Sequence, residues 1–249
     1  MSQPVDIHSI EAILFDMNGT LRMREPHPET QQAAYARLRQ LLGKKDASDA
    51  YWEELTRRQK VYSRWAQENL TQLSEAEIWT KWILPDAPRE QIEPVAAELM
   101  LAWGEHKGWV IPKPGAGETV RVLKQRGYRL GVISKSTSTL DIPRSLENFG
   151  WKDYFDVVVL SSDLKIRKPD PEPFLEAARR MGIPPSRCAY LGNRISKDIV
   201  GCRRAGFALG IVLEPADGPR PDELDQPVKP DLVIHSLTEL LDLFPVRSS

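Results

Sequence analysis

The chain has 249 residues, of which 41% are hydrophobic and 28% charged, the composition of a globular protein rather than a disordered one. Lys plus Arg number 34 against 35 Asp plus Glu, a formal charge of −1, which argues against a nucleic-acid binder held by bulk positive charge. The only cysteines, Cys188 and Cys202, exclude a disulfide scaffold and fit a reducing compartment.

In chain order, the opening Met1-Ser-Gln-Pro-Val-Asp6-Ile-His8 carries neither the basic nor the apolar region of a secretory leader. No apolar run approaches the ~18 residues of a membrane-spanning helix, so a soluble cytoplasmic protein without a membrane partner is expected. Ala12-Ile13-Leu14-Phe15 predicts a short buried strand that breaks at Asp16-Met17-Asn18-Gly19-Thr20. Residues 25–107 then read as helical. Apolar spacings of three and four group Tyr35, Leu38 and Leu42; Trp52, Leu55, Gln59 and Tyr62; Ile78, Trp82 and Ile83; and Ile92, Val95, Leu99 and Trp103. They predict four amphipathic helices, separated near 43–48, 70–74 and 85–88, in a small bundle.

Beyond Gly108 strands and helices alternate. Strands are expected over 129–134, 156–160, 188–191, 207–213 and from 232. The helices between them carry Val120 and Leu123, cover 143–149, carry Phe174 to Met181, cover 196–205, and end at Phe244. This alternation requires crossover connections and a mostly parallel sheet. The predicted fold is therefore a doubly wound, Rossmann-like α/β core over 1–24 and 108–249, with an α-helical insertion over 25–107. The proline-rich stretch 214–230 reads as a surface loop.

In open parallel sheets, ligands bind beyond the carboxyl ends of the strands. Those ends supply Asp16 and Asn18, Ser134 and Lys135, and Gly192 and Asn193, while Lys168 follows the 156–160 strand just before a helix start. Each has an ordinary explanation. An aspartate after a strand forms turns, and a serine caps a helix. Asp170-Pro171 starts a helix whatever precedes it, and Asp198 suits the positive end of one. Taken singly, these roles do not explain why four segments deliver polar groups to one edge.

The joint order resembles the haloacid dehalogenase superfamily, mostly magnesium-dependent phosphatases. The matching pieces are Ile13-Leu-Phe-Asp16-Met-Asn-Gly-Thr20-Leu, Pro114-Gly-Ala-Gly, Gly131-Val-Ile-Ser134, Arg167-Lys168-Pro-Asp-Pro, and Leu191-Gly-Asn193 with Asp198 and Ala205-Gly206 beyond. The resemblance implies that Asp16 is a nucleophile forming a covalent aspartyl intermediate. It implies that Thr20 and Ser134 hold the transferring group and that Lys168 neutralises the nucleophile and the phosphoryl oxygens. Asp16, the main chain of Asn18, Asn193 and Asp198 are the implied holders of Mg2+. Gly19, Lys135 and Arg22 are candidate substrate contacts, the substrate is expected to be a small phosphorylated or otherwise anionic metabolite, and 25–107 is expected to cap it.

Two departures bear on the chemistry. Asn18 stands where phosphatases of this type usually have a second aspartate, which protonates the leaving group and then activates water. An amide does neither, and such catalysis contributes ~10²–10⁴-fold, or roughly 3–5 kcal/mol of barrier. Asn193 stands where an acidic metal ligand is usual, and Lys135 where a small polar residue is. Asp16 and Asp198 contribute −2 and Lys135 and Lys168 +2, summing to zero, with Arg194 adjacent. Such a site favours an anion and predicts weak magnesium binding. Two other readings share these residues: a protein that binds a phosphate-bearing ligand or partner without turnover, and a metal-independent 2-haloacid dehalogenase. In the dehalogenases the corresponding asparagine precedes an aspartate by three positions. Here Asp198 follows Asn193 by five (198 − 193), the phosphatase spacing, which puts phosphatase chemistry with impaired proton transfer first.

Six of the seven tryptophans, Trp52, Trp65, Trp79, Trp82, Trp103 and Trp109, lie in the insertion or its exit, and read as bundle core rather than an aromatic cage. His8, His27, His106 and His235 have no metal-ligand spacing. Arg22, Arg24 and His27 read as a solvated cluster from which one group could reach a substrate anion.

Overall fold

Ala12–Phe15 (β1) is apolar at every position, and such a strand is stable only with both faces covered. The remaining strands are Arg22–Glu25 (β2), Trp109–Pro112 (β3), Arg129–Ser134 (β4), Val157–Leu160 (β5), Cys188–Gly192 (β6), Leu209–Leu213 (β7) and Leu232–Ile234 (β8). In the computed structural model, which describes residues 6–215, 218, 223 and 226–247, six of them form a parallel sheet of order β5-β4-β1-β6-β7-β8. Side chains alternate between its faces. Ile13, Phe15, Leu130, Val132 and Leu191 enter one apolar layer, closed by the helices Ala116–Gln125 and Leu240–Leu243. Ala12, Leu14, Ile133 and Tyr190 enter the other, closed by Glu172–Met181 and Val200–Arg204. The core is the doubly wound α/β architecture expected.

Register positions the functional edge. Phe15 stands beside Val132 on β4 and Leu191 on β6, and the Asp16 N–H donates to Leu191 O at 2.9 Å. Asp16 therefore emerges between the carboxyl ends of β4 and β6, where the chain leaves β1 for opposite sides of the sheet.

The helical insertion has its own apolar core, around Leu38, Trp52, Leu55, Tyr62, Trp79, Leu99 and Trp103. Its helices are Pro28–Leu42, Asp49–Glu68, Glu75–Ile78 running into a wide turn Trp79–Ile83, and the pair Arg89–Ile92 and Ala96–Glu105. Three details differ from the expectation. The wide turn adds a residue to the helical repeat, so Trp79 and Ile83, not Trp82, are fully buried. The last helix is interrupted at Glu93–Val95 because Pro94 has no N–H to continue it. Trp109, grouped by sequence with the core tryptophans, is 54% exposed.

The insertion leaves and returns through an antiparallel ribbon of β2 and β3, an element the sequence reading did not contain. A second junction docks it on the core. Gln72 N–H donates to Lys165 O and Arg167 N–H to Leu70 O, both at 2.9 Å. The Arg167 guanidinium, 1% exposed, donates to Gln72 Oε1 at 3.0 and 2.7 Å and lies over the Tyr62 ring. Gln72→Leu leaves this cation buried without its acceptor and is expected to cost about 2–3 kcal/mol in urea unfolding. Tyr62→Phe, which removes the acceptor of Gln72 Nε2 at 3.0 Å and of the Leu73 N–H at 3.1 Å as well as a 3.4 Å contact to Arg167, is expected to cost about 1–2 kcal/mol in the same assay.

The opening residues 1–5 lie outside the described residues, as do 216, 217, 219–222, 224 and 225 of the expected surface loop. Within that loop Glu223 is not on the surface: it is 5% exposed and accepts from Ser196 N–H and Oγ at 2.7 and 2.8 Å. Among the described residues, no helix is long and apolar enough to cross a membrane.

Candidate active site

Asp16 is 6% exposed and Lys168 5%. The Lys168 ammonium donates to Asp16 Oδ1 at 2.8 Å, Asp198 Oδ1 at 2.6 Å, Ile133 O at 3.1 Å and the Tyr190 hydroxyl at 2.7 Å. Burial alone pulls the Lys168 pKa down, but Asp16 and Asp198 together outweigh it and hold the group above its ordinary value. Lys168 is therefore a fixed cation. It opposes the burial that raises the Asp16 carboxyl. Ser134 Oγ also donates to Asp16 Oδ1, at 3.4 Å, leaving Oδ2 with no side-chain bond among the described residues.

Asp198 is engaged at both oxygens. Oδ1 receives Lys168 and the Tyr190 hydroxyl, the latter at 3.3 Å, and Oδ2 receives the N–H groups of Asn193 and Arg194 at 3.1 and 3.0 Å. It packs so closely on Gly192 that any Cβ there would collide with it. Gly19, at φ +85, meets the Asn193 side-chain amide in the same way. Glycine at these two positions lets the β1 and β6 loops close on each other.

Arg22, expected to touch substrate, is consumed internally. Its Nε donates to Asn18 Oδ1 at 3.0 Å, Nη1 to Asp141 Oδ1 at 3.1 Å and to Ser145 Oγ, and Nη2 pairs with Asp141 Oδ2 at 2.5 Å. Its function is to position Asn18, turning the Asn18 amide N–H₂ away from the guanidinium. Thr20, expected to hold the transferring group, is fully buried, and its hydroxyl has no hydrogen-bond partner among the described residues. It is not among the residues that line the cleft. Asp16, Asn18, Gly19, Lys135, Lys168, Asn193 and Asp198 do line one cleft of about 600 Å³, together with the insertion residues Gln59, Ser63, Gly104 and Lys107.

Sequence reasoning missed three contributors: Tyr190, Lys197 and Asp141. Tyr190 carried a usable signal, because a tyrosine in an otherwise apolar buried strand needs a partner for its hydroxyl. Around the cleft stand seven cations, Arg22, Arg24, Lys107, Lys135, Lys168, Arg194 and Lys197, against three carboxylates, Asp16, Asp141 and Asp198, an excess of four. Lys135 reaches solvent, yet desolvation by the cleft walls, with Lys197 and Arg167 close by, pushes it down to about 8. The cleft carries an excess of positive charge.

Magnesium, implied by the resemblance, meets a donor set that does not fit it. Asp198 has no free oxygen, Asn18 and Asn193 offer neutral amides, and the surrounding charge repels a dication. No three His, Cys, Asp or Glu side chains gather to hold a metal among the described residues. Asp198 here orders the β6 loop and holds Lys168.

An acid at the end of the central strand, a buried ammonium on it and a cleft shared with an inserted helical layer define a Rossmann-like α/β core with a positively charged site at its carboxyl edge. The chain belongs to the haloacid dehalogenase-like hydrolases, whose family model matches residues 10–206. It is 29% identical over 238 residues to a glyceraldehyde 3-phosphate phosphatase of Methanopyrus kandleri, covering 94% of this chain and 97% of that one. It is 35% identical over 130 residues to a phosphoglycolate phosphatase of Nitrosococcus oceani, covering 52% and 56%. Among solved structures, a 2-haloacid dehalogenase from Pseudomonas syringae pv. Tomato superposes with a TM-score of 0.66 at 26% identity, covering 94% and 97%.

Proposed function

We propose that this protein hydrolyses small phosphate monoesters, with Asp16 as the nucleophile and residues 25–107 as a cap over the substrate. The observation that carries the reading is the Asp16–Lys168 pair. The ammonium binds one carboxylate oxygen and leaves Oδ2 facing a cleft of excess positive charge. Oδ2 attacks phosphorus, the bond to the leaving oxygen breaks, and that oxygen takes its proton from solvent, because the Asn18 amide has none to give. Water then attacks the aspartyl phosphate, releasing inorganic phosphate and restoring the carboxylate. Lys168 and the Asn18 N–H₂ offset charge on the phosphoryl oxygens. The glyceraldehyde 3-phosphate and phosphoglycolate phosphatases among the relatives support phosphoryl chemistry. The setting we propose is cytoplasmic, as the buried free thiols Cys188 and Cys202 suggest.

The test is phosphate release from p-nitrophenyl phosphate and from ethyl phosphate, with and without EDTA. We expect the aryl ester to be much the faster, since it needs no acid, and the chelator to change its rate by less than about 2-fold. Tight phosphate binding without turnover would instead mark a binding protein. Chloride release from 2-chloropropionate would favour a second reading, displacement at carbon by the same Asp16, which the dehalogenase likeness and Asn193 support.

Asn18→Asp is expected to raise ethyl phosphate turnover by only about 10-fold, short of the full general-acid contribution. Arg22 Nε, 3.0 Å from the position-18 oxygen, holds a carboxylate there ionised and makes it a poor acid. Adding Asn193→Asp is expected to bring the first magnesium stimulation, read as a rate increase on titration with MgCl2.

A further inference from the structure

Away from Asp16 the cleft has a second polar corner, where β2 meets the end of the helix Ala96–Glu105. Arg24 and Lys107 line it. Asp141 is its carboxylate, and Arg22 already takes both oxygens, at 3.1 and 2.5 Å, so that Arg24 stands 3.6 Å from Oδ1. Glu105 is paired outward with Arg144 at 3.1 Å. Arg22, Arg24 and Lys107 against Asp141 leave a local charge of +2 (3 − 1). Among the described residues Lys107 donates only to Gln59 Oε1, at 3.4 Å, an oxygen that already accepts from Trp103 Nε1 at 2.6 Å. Desolvation and the neighbouring Arg24 pull Lys107 below its ordinary value, and burial does the same to Arg24 despite Asp141. Like charges gathered in excess of their one counter-charge are costly, and a bound anion relieves them. Gly104, bearing no side chain beside the Arg24 guanidinium, leaves the approach open.

We propose that Arg24 and Lys107 form a second anion site, so that the substrate is a phosphate monoester carrying another anionic group, a carboxylate or a second phosphate, at its far end. The inference rests on the reading of the Asp16 end as the phosphoryl site. Arg24 supplies planar donors and Lys107 a point charge, and both sit on the segments that join the insertion to the core.

The test uses two ligands whose P–C bonds resist hydrolysis, 3-phosphonopropionate and propylphosphonate, which differ in a terminal carboxylate against a methyl group. Calorimetry on the wild-type protein is expected to give about 30- to 100-fold tighter binding of the carboxylate-bearing ligand. In Arg24→Gln/Lys107→Met the preference is expected to fall below about 3-fold, with propylphosphonate affinity preserved within about 3-fold, which also reports an intact fold. Arg24→Lys/Lys107→Arg should recover part of the preference. Propane-1,3-bisphosphonate in the same assay ranks a phosphoryl group against a carboxylate, and tighter binding of either than of propylphosphonate supports the site. Equal wild-type affinity for all three overturns the second site and leaves the first standing, as does a preference that survives the double variant. Failure of every ligand to bind overturns both.

Discussion

Asp16→Asn is expected to lower phosphate release by about 10⁴-fold or more while leaving the protein folded and able to bind phosphate. The replacement is isosteric, so the turn from Met17 to Arg22 and the approach of Asn193 to Gly19 stay as they are. What disappears is the nucleophilic oxygen pair. Lys168 keeps Asp198 at 2.6 Å, Tyr190 and the Ile133 carbonyl, so the ammonium is not stranded and stability should change by less than about 2 kcal/mol. Phosphate release measured beside urea unfolding separates the two effects. Residual activity within about 10-fold of the wild type would sink the nucleophile assignment, since the remaining cleft groups only bind and orient.

Lys168→Met is expected to have the largest effect on stability, about 3–5 kcal/mol at neutral pH, together with loss of turnover. It removes the only cation between Asp16 and Asp198, both under a tenth exposed. The two carboxylates then repel each other where water cannot screen them. The sign of the pH dependence follows. In the variant, burial and the neighbouring Asp198 raise the Asp16 carboxyl above its unfolded value with no ammonium to oppose them, so the penalty applies above the raised value and fades as the acid is protonated. The variant should therefore be less handicapped at pH 5 than at pH 8. In the wild type the Lys168 pKa is itself raised. Its contribution is fully present below the ordinary lysine value of 10.5 and is lost as pH climbs through the raised one. Urea unfolding of both proteins at pH 5 and pH 8 reads the difference. A pH-independent gap would mean that the cost is one of packing, not of charge.

The sheet and the edge that carries Asp16 were legible because their signals are local. Ala12–Phe15, Arg129–Ser134 and Cys188–Gly192 are apolar runs that end in polar residues, and parallel strands bring such ends together. Lys168 was legible through its place before a helix start. What escaped depended on partners far along the chain. Arg22 looked like a free cation because nothing near it in sequence announces Asp141, 119 residues away. Its strand escaped because arginines at alternate positions of β2 mimic a solvated cluster, and its mate β3 lies beyond the whole insertion. The full burial of Thr20 was likewise not legible from spacing. Trp82 was placed on the buried face in place of Trp79 because one wide helical turn shifts the face by a residue.

Arg167 and Lys168 are chain neighbours with opposite allegiances. The first is gripped by Gln72 of the insertion and the second by the buried acids of the sheet. A single peptide unit is thus a tie-rod between roof and reaction centre. Any displacement of the helical layer that freed Gln72 would act through that link on the residue that seats the ammonium, without a relay of side chains.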